Sequence, residues 1–201
     1  MFINTKFIRA IAFLLIFILF NQADCSHKEK TLISISDEFK SYIVFQEGSQ
    51  WIYENQTGER DTVVLKDIEE YMQESPYNVT TEAINITKVS SLYGEEKTYA
   101  QSQEINIDCD HYSIYSSVYH SPVYFFCCCE EGKKVENLKY LGNIDSLTIG
   151  AHQFYQIRHF ESDSINLQAI KNFYYAKDIG LIQYQDFDKN EWKLIDFRLG
   201  E

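Results

Sequence analysis

The chain has 201 residues and a mass of 23.7 kDa, carries a formal charge of −12, and is 45% hydrophobic and 15% aromatic. That length fits one domain with a substantial core. An acidic surface repels phosphate backbones and anionic headgroups, which argues against a nucleic-acid partner and against electrostatic docking on a membrane.

In chain order, Lys6 and Arg9 precede an unbroken apolar run from Ala10 to Phe20, "AIAFLLIFILF". Its eleven residues suit the core of a secretory signal and fall short of the roughly 20 needed to span a bilayer. Cys25 follows in "NQADCSHKEK", where a lipoprotein signal peptidase would cut and a diacylglyceryl group would be attached. Ala23 fits that motif, whereas Gln22 and Asp24 stand where Leu and a small residue are preferred; ordinary cleavage after Ala23 is the rival. Without residues 1–24 the chain keeps 16 basic and 29 acidic residues, a formal charge of −13. Attachment to a lipid bilayer would then rest on the N-terminal lipid anchor alone. The expected organisation is a signal peptide over residues 1–24, a polar tether over 25–36 and a single β domain over 37–201.

From Thr31 onward the pattern is mostly period two with β-branched and aromatic enrichment, which favours strands. Gln50 to Asn55, a turn around Gly58 and Asp61 to Met72 read as a hairpin, and "YNVTTEAINITKVS" follows as another long strand. "EKTYAQSQEINI", "HYSIYSSVYH" and "VYFFCCC" continue the pattern, the last two flanking Ser121-Pro122. "KKVENLKYL", "DSLTIG" and "HQFYQIRHF" come next. The end is clearest: "NFYYA", a turn at Lys177–Gly180, "LIQYQDF", a turn at Asp188–Asn190, and "EWKLIDFRL". Helical character is confined to "DSINLQAIKN" (163–172), with a turn at Asp37–Tyr42. The fold class is all-β: a curved antiparallel meander sheet or open barrel of about 10–12 strands, with at most one short helix. The 31 aromatic residues (15 Tyr, 14 Phe, 2 Trp) supply its core, since a Tyr ring packs while its hydroxyl finds a polar partner.

Phe45, Gly48, Trp51 and Tyr53 form a Phe-x-x-Gly-x-x-Trp-x-Tyr hairpin start, and Ala176, Lys177, Gly180, Leu181, Trp192 and Leu194 mark the closing strands. In these motifs the chain resembles small lipoproteins of Bacteroidota-type bacteria. The resemblance covers about 42–66 and 173–197 and leaves the middle uncovered. It implies a secreted, membrane-tethered β domain and brings no catalytic residues. The same residues make sense physically: Gly48 and Gly180 precede strands, where a positive φ turns the chain without a steric penalty, and Trp51 and Trp192 would anchor the two ends of the sheet.

Three cysteines stand side by side in "VYFFCCCEEGKK". In a strand Cys127 and Cys129 point one way and Cys128 the other, so one metal ion cannot bind all three. If Ser121-Pro122 closes a two-residue hairpin, Cys127 faces Ser116, Cys128 faces Tyr115, Cys129 faces Ile114 and Phe125 faces Val118. Cys109 would then lie roughly 17–24 Å along the strand from the cluster, where a disulfide needs Cα atoms within about 7 Å. The favoured reading is a strand packed with small apolar side chains. A disulfide from Cys109 to Cys127, Cys128 or Cys129 is the first rival, because exported chains meet oxidising conditions. A metal or redox site at Cys109-x-His111, flanked by Asp108 and Asp110 and joined by His120, is the second.

His152 and His159 read as surface or edge residues on opposite faces of one strand. Neighbouring carboxylates at Glu69-Glu70 and Glu130-Glu131 point apart, unlike the facing pair that glycoside hydrolysis uses. No Ser sits in a Gly-x-Ser-x-Gly elbow, and "LGNIDSLTIG" is not a phosphate loop. The expected function is a tethered, non-catalytic β-domain lipoprotein of the cell envelope, with no cofactor, acting as a binding or structural module on an envelope protein. A carrier holding an apolar ligand in an open barrel is the alternative, and a Cys/His-dependent enzyme the weakest reading.

Overall fold

The computed structural model describes residues 31–74, 79–103, 111–116, 121–126, 132, 134–135, 138–162, 170–186 and 189–200. Residues Leu32–Glu201 form one compact unit. The strands β2 (Gln50–Asn55), β3 (Arg60–Glu74), β4 (Val79–Ser90), β5 (Gly94–Gln103), β6 (His111–Ser116) and β7 (Ser121–Phe126) make a first meander. The strands β8 (Lys134–Val135), β9 (Leu138–Ile149), β10 (His152–Ser162), β11 (Ile170–Ala176), β12 (Gly180–Asp186) and β13 (Glu191–Arg198) make a second. An antiparallel pairing of β2 with β13 joins the two, so the sheet runs from β7 through β2 and β13 to β8. β1 (Thr31–Ile33), whose Leu32 and Ile33 belong to the compact unit, lies off this path beside β4.

All-β is the fold, as the period-two pattern indicates: one curled sheet, antiparallel from β2 through β13, forms a half-barrel, with one short helix among the described residues. The 13 strands among the described residues exceed the number expected because β1 and β8, of three and two residues, are too short to leave a period in the sequence. The curl brings β7, at one edge, into contact with β9 near the other.

The helix α1 (Asp37–Ile43) lies where the sequence suggested only a turn. Its N-cap is Ser36, whose Oγ accepts the Phe39 N–H at 3.2 Å, and Asp37 and Glu38 occupy the first turn, where carboxylates suit the helix dipole. Phe39, Tyr42 and Ile43 fall on one face and are buried. The helical reading of 163–172 is corrected at its end: Ile170, Lys171 and Asn172 are in β11, where Ile170 pairs with Asp186 and Asn172 with Gln185 of β12; residues 163–169 lie outside the described residues. Ile35 is also buried, so packed structure begins ahead of Asp37.

The register of β6 and β7 is a second correction. Tyr115 pairs with Pro122 and Phe125 with Tyr112, not with Val118, a displacement of six residues. Ser121 and Pro122 therefore stand inside a strand rather than at its turn. Pro122 is tolerated there because β7 is the sheet edge, where a missing N–H need not break a ladder.

The core follows the inner face of the curl. Trp51, Tyr53, Ile84, Ile86, Phe160, Phe173, Tyr184, Trp192 and Leu194 belong to one cluster with Phe39 and Tyr42 of the helix. Trp51 meets Phe45 edge-on at 5.2 Å, Tyr53 meets Tyr184 at 5.7 Å, and Phe160 stacks on Phe173 at 5.3 Å. Both tryptophans are 2% exposed. Gly180 has φ +96°, and a Cβ there would lie 3.1 Å from the Phe45 ring, which would have to give way.

Candidate functional site

The sequence-singled cysteines do not enter the site described below. Cys25, Cys109, Cys127, Cys128 and Cys129 all lie outside the described residues, as do Asp108, Asp110 and His120. His111 opens β6 opposite Phe126. Among the described residues no three His, Cys, Asp or Glu side chains gather in a metal-binding group.

What the structure brings together is one end of the half-barrel, where α1 is fastened across the sheet. Lys40 Nζ donates to Glu70 and Glu82 at 2.6 Å each, holding the helix to β3 and β4. Glu82 also accepts the Ile35 N–H at 2.8 Å. Burial tends to raise the Glu82 pKa, but the Lys40 hydrogen bond, the Ile35 N–H and the Lys40 charge outweigh it and hold the carboxyl below its ordinary range. Burial likewise works against the Lys40 ammonium, yet its two carboxylate partners leave its pKa raised. On the opposite side Arg158, 4% exposed, pairs with Glu38 and lies over the Tyr42 ring at 4.7 Å. Tyr42 Oη donates to the Gln156 carbonyl at 3.1 Å, and the Asp178 N–H donates to the Ser41 carbonyl at 2.7 Å.

Beside this junction an open cleft of about 350 Å³ lies between the start of β10, the 177–179 turn and Phe197 of β13. Its walls combine the rings of His152, Phe154, Tyr155 and Phe197 with Lys177 and Asp178. The backbone beneath is fixed: Gln156 (φ +50°) and Asp178 (φ +61°) are in the left-handed region, and the Gln156 carbonyl also accepts the Lys177 N–H at 3.4 Å. Such strain in non-glycine residues persists only where surrounding contacts enforce it. His152 packs against Phe197 with ring centroids 5.7 Å apart, and Tyr155 is 59% exposed.

A second, inner cavity of about 50 Å³ lies under the helix, lined by Tyr42, Trp51, Tyr53, Lys88, Thr98 and Tyr175 among others. Lys88 Nζ is 5.2 Å from the Trp51 ring centroid, and Lys88 stands opposite Glu96 in the β4–β5 ladder. Burial pushes the Lys88 ammonium toward its neutral form, against the opposing pull of Glu96. Burial and the same carboxylate keep the Tyr175 phenol protonated far above the ordinary tyrosine range.

His152 and His159, expected at the surface or edge, are both only partly exposed. His159 stacks on Tyr174 at 4.1 Å, and burial lowers its pKa against the opposing Asn172 hydrogen bond and Glu161 charge. Glu69 and Glu70 do serve different partners, Asn85 and Lys40. The sequence carries a signal for Lys88, which continues the period-two phase of the buried Ile84 and Ile86. Arg158 gave no such sign: its partner Glu38 is 120 residues away in the chain.

No family model, curated protein or solved structure matches the chain.

Proposed function

We propose that the chain is an exported protein held to a membrane by a lipid on Cys25, and that its β domain acts without catalysis as a binding or envelope-structural module. The charged start, the short apolar run and the cysteine after Ala23 support the export and lipid reading. The likeness of the two ends of the chain to small Bacteroidota-type lipoproteins points the same way.

The observation that carries the module reading is how the described part of the half-barrel's inner face is filled. Among the described residues, the inner cavity under α1, of about 50 Å³, is far below the ~300–1,000 Å³ of typical ligand pockets. A carrier of lipid-sized cargo would need a chamber, and among the described residues the aromatic core and α1 pack against the inner face of the sheet. The outer cleft, at about 350 Å³, is of small-ligand size and has a wall whose backbone is already fixed, which limits the entropy lost on binding.

Two measurements test the proposal. A Cys25→Ala protein is expected in the soluble fraction and to lack the mass of acyl chains. Wild-type protein that is equally soluble, with Asp24 at its N-terminus, overturns the tether. Native mass spectrometry of protein extracted from its own cells should show no co-purifying lipid in the β domain. A stoichiometric apolar ligand there would replace the module reading with the carrier.

A further inference from the structure

The outer cleft sets two opposite charges beside a bed of aromatic rings. We propose that it binds a zwitterionic phosphorylated amino alcohol, phosphocholine or phosphoethanolamine, with Lys177 on the phosphate and Asp178 and the rings on the ammonium. The inference rests on the binding-module reading and gives that module a ligand.

Charge makes the first selection. Lys177 and Asp178 are neighbours in the turn that walls the cleft. Among the described residues neither side chain is in an ion pair, with the other or with a third residue. A ligand of one sign would be drawn by one of them and repelled by the other, and an apolar ligand would desolvate both without supplying a partner. A ligand carrying both signs satisfies the two together. Because the two side chains stay beyond ion-pairing distance, a ligand whose charges are separated by a linker spans them better than an α-amino acid, whose charges share one carbon. Such a ligand is neutral overall, so the acidic surface of the chain does not turn it away. Lysine serves as a point charge for phosphate.

The rings select the kind of cation. His152, Phe154 and Phe197 pack as a trio, with centroids between 5.7 and 6.2 Å apart, and the exposed Tyr155 ring borders the same cleft. Phenyl and phenol faces attract an ammonium through their quadrupoles, a quaternary one above all. The cleft volume of about 350 Å³ lies at the small end of the ~300–1,000 Å³ range of ligand pockets, which suits a headgroup and not a whole lipid. A lipid held this way keeps its acyl chains outside the β domain. The charged wall is fixed in advance, since the Asp178 N–H is bonded to Ser41 of the helix and the Lys177 N–H to Gln156 of β10.

The test is isothermal titration of the full chain carrying Cys25→Ala, which leaves no acyl group at residue 25, with phosphocholine, choline and inorganic phosphate in turn. Phosphocholine should bind saturably at one site and severalfold more tightly than choline or phosphate alone. Lys177→Gln should weaken phosphocholine roughly tenfold, the worth of one charge-assisted contact, and leave choline unchanged. Asp178→Asn, which keeps a residue tolerant of positive φ, should weaken both. A chain that fails to fold loses choline with phosphocholine, so the Lys177→Gln contrast is not mimicked by misfolding, and the wild-type cleft is judged without any variant in it. Flotation with phosphatidylcholine vesicles then identifies the source: co-flotation that free phosphocholine competes away assigns the cleft to headgroups, and soluble binding without flotation assigns it to the free ligand. No saturable phosphocholine binding, or inorganic phosphate binding as tightly, overturns the proposal. Either result leaves the tether, read separately from the fractionation of Cys25→Ala, where it stood.

Discussion

Trp51 and Trp192 share the same burial, yet their polar ends differ. The Trp51 indole N–H donates to the Ile179 carbonyl at 2.7 Å, whereas the buried Trp192 N–H has no hydrogen-bond partner among the described residues. Truncating either to Ala removes a large buried ring and should cost about 3–5 kcal/mol. Replacement by Phe separates them. Trp51→Phe strands a carbonyl that supports the 177–179 turn, adding roughly 1–3 kcal/mol to the packing loss, while Trp192→Phe loses packing alone. Urea unfolding in which Trp192→Phe proves the more damaging would contradict this assignment. Asp61 works on the same principle: 2% exposed, it accepts from Ser90 and Ser91 hydroxyls and the Leu92 N–H, organising the β4–β5 turn. Nothing in the period-two pattern signals it, because a buried acid is defined by donors 29–31 residues away. The tryptophans were legible because bulk and position alone mark an anchor.

At the scale of elements, α1 depends on side-chain charge more than on its length, for a seven-residue helix is too short to be stable by itself. Glu82 has a folded-state pKa held below its unfolded value, so its contribution is present above the unfolded value near pH 4.5 and is lost as pH falls through the folded value. Lys40, raised in the folded state, contributes below its unfolded value near 10.5 and loses that contribution as pH rises through the folded one. The staple is therefore strongest across the neutral range. Stability measured by denaturant should fall on acidification below about pH 4.5, and Glu82→Gln should flatten that part of the profile while lowering stability at pH 7. An unchanged acid limb in Glu82→Gln removes Glu82 from the linkage. The helix itself had a readable signature, Ser36 as cap, acids in the first turn and Phe39, Tyr42 and Ile43 on one face, but its two turns are shorter than a periodicity window. The β6–β7 register could not be read the same way. "VYFFCCC" is apolar at successive positions, so it carries no phase to fix which residue faces which, and Ser121-Pro122 resembles a turn although Pro122 lies in an edge strand.

On the scale of the whole molecule, the pairing of β2 with β13 explains why motifs at the two ends of the sequence belong together. Trp51 faces Phe197, Tyr53 faces Leu194 and Asn55 faces Trp192, so the aromatic motifs at the two ends of the sequence lie on paired strands at the centre of the sheet. The uncovered middle supplies the outer strands, ending at β7 and β8, the two edges of the sheet. The connection between those edges contains Cys127, Cys128 and Cys129, and the connection between β5 and β6 contains Cys109. The six-residue displacement of the β6–β7 register removes the argument that kept Cys109 far from the cluster, which makes the state of the thiols the deciding observation. If the cysteines only pack, replacing Cys127, Cys128 and Cys129 by Ala or Val should cost about 1–2 kcal/mol per site. If Cys109 is bonded to one of them, the closed loop of about 18–20 residues contributes roughly 3 kcal/mol in the chain-entropy estimate, and Cys109→Ser should lower the melt as far as reductant does. A count on denatured, non-reduced mature protein separates the cases: four free thiols beside a modified Cys25 indicate packing, and two indicate a bond that fastens the β5–β6 connection to the link between the sheet's edges. A chelator-sensitive count would instead restore the metal site around Cys109 and His111.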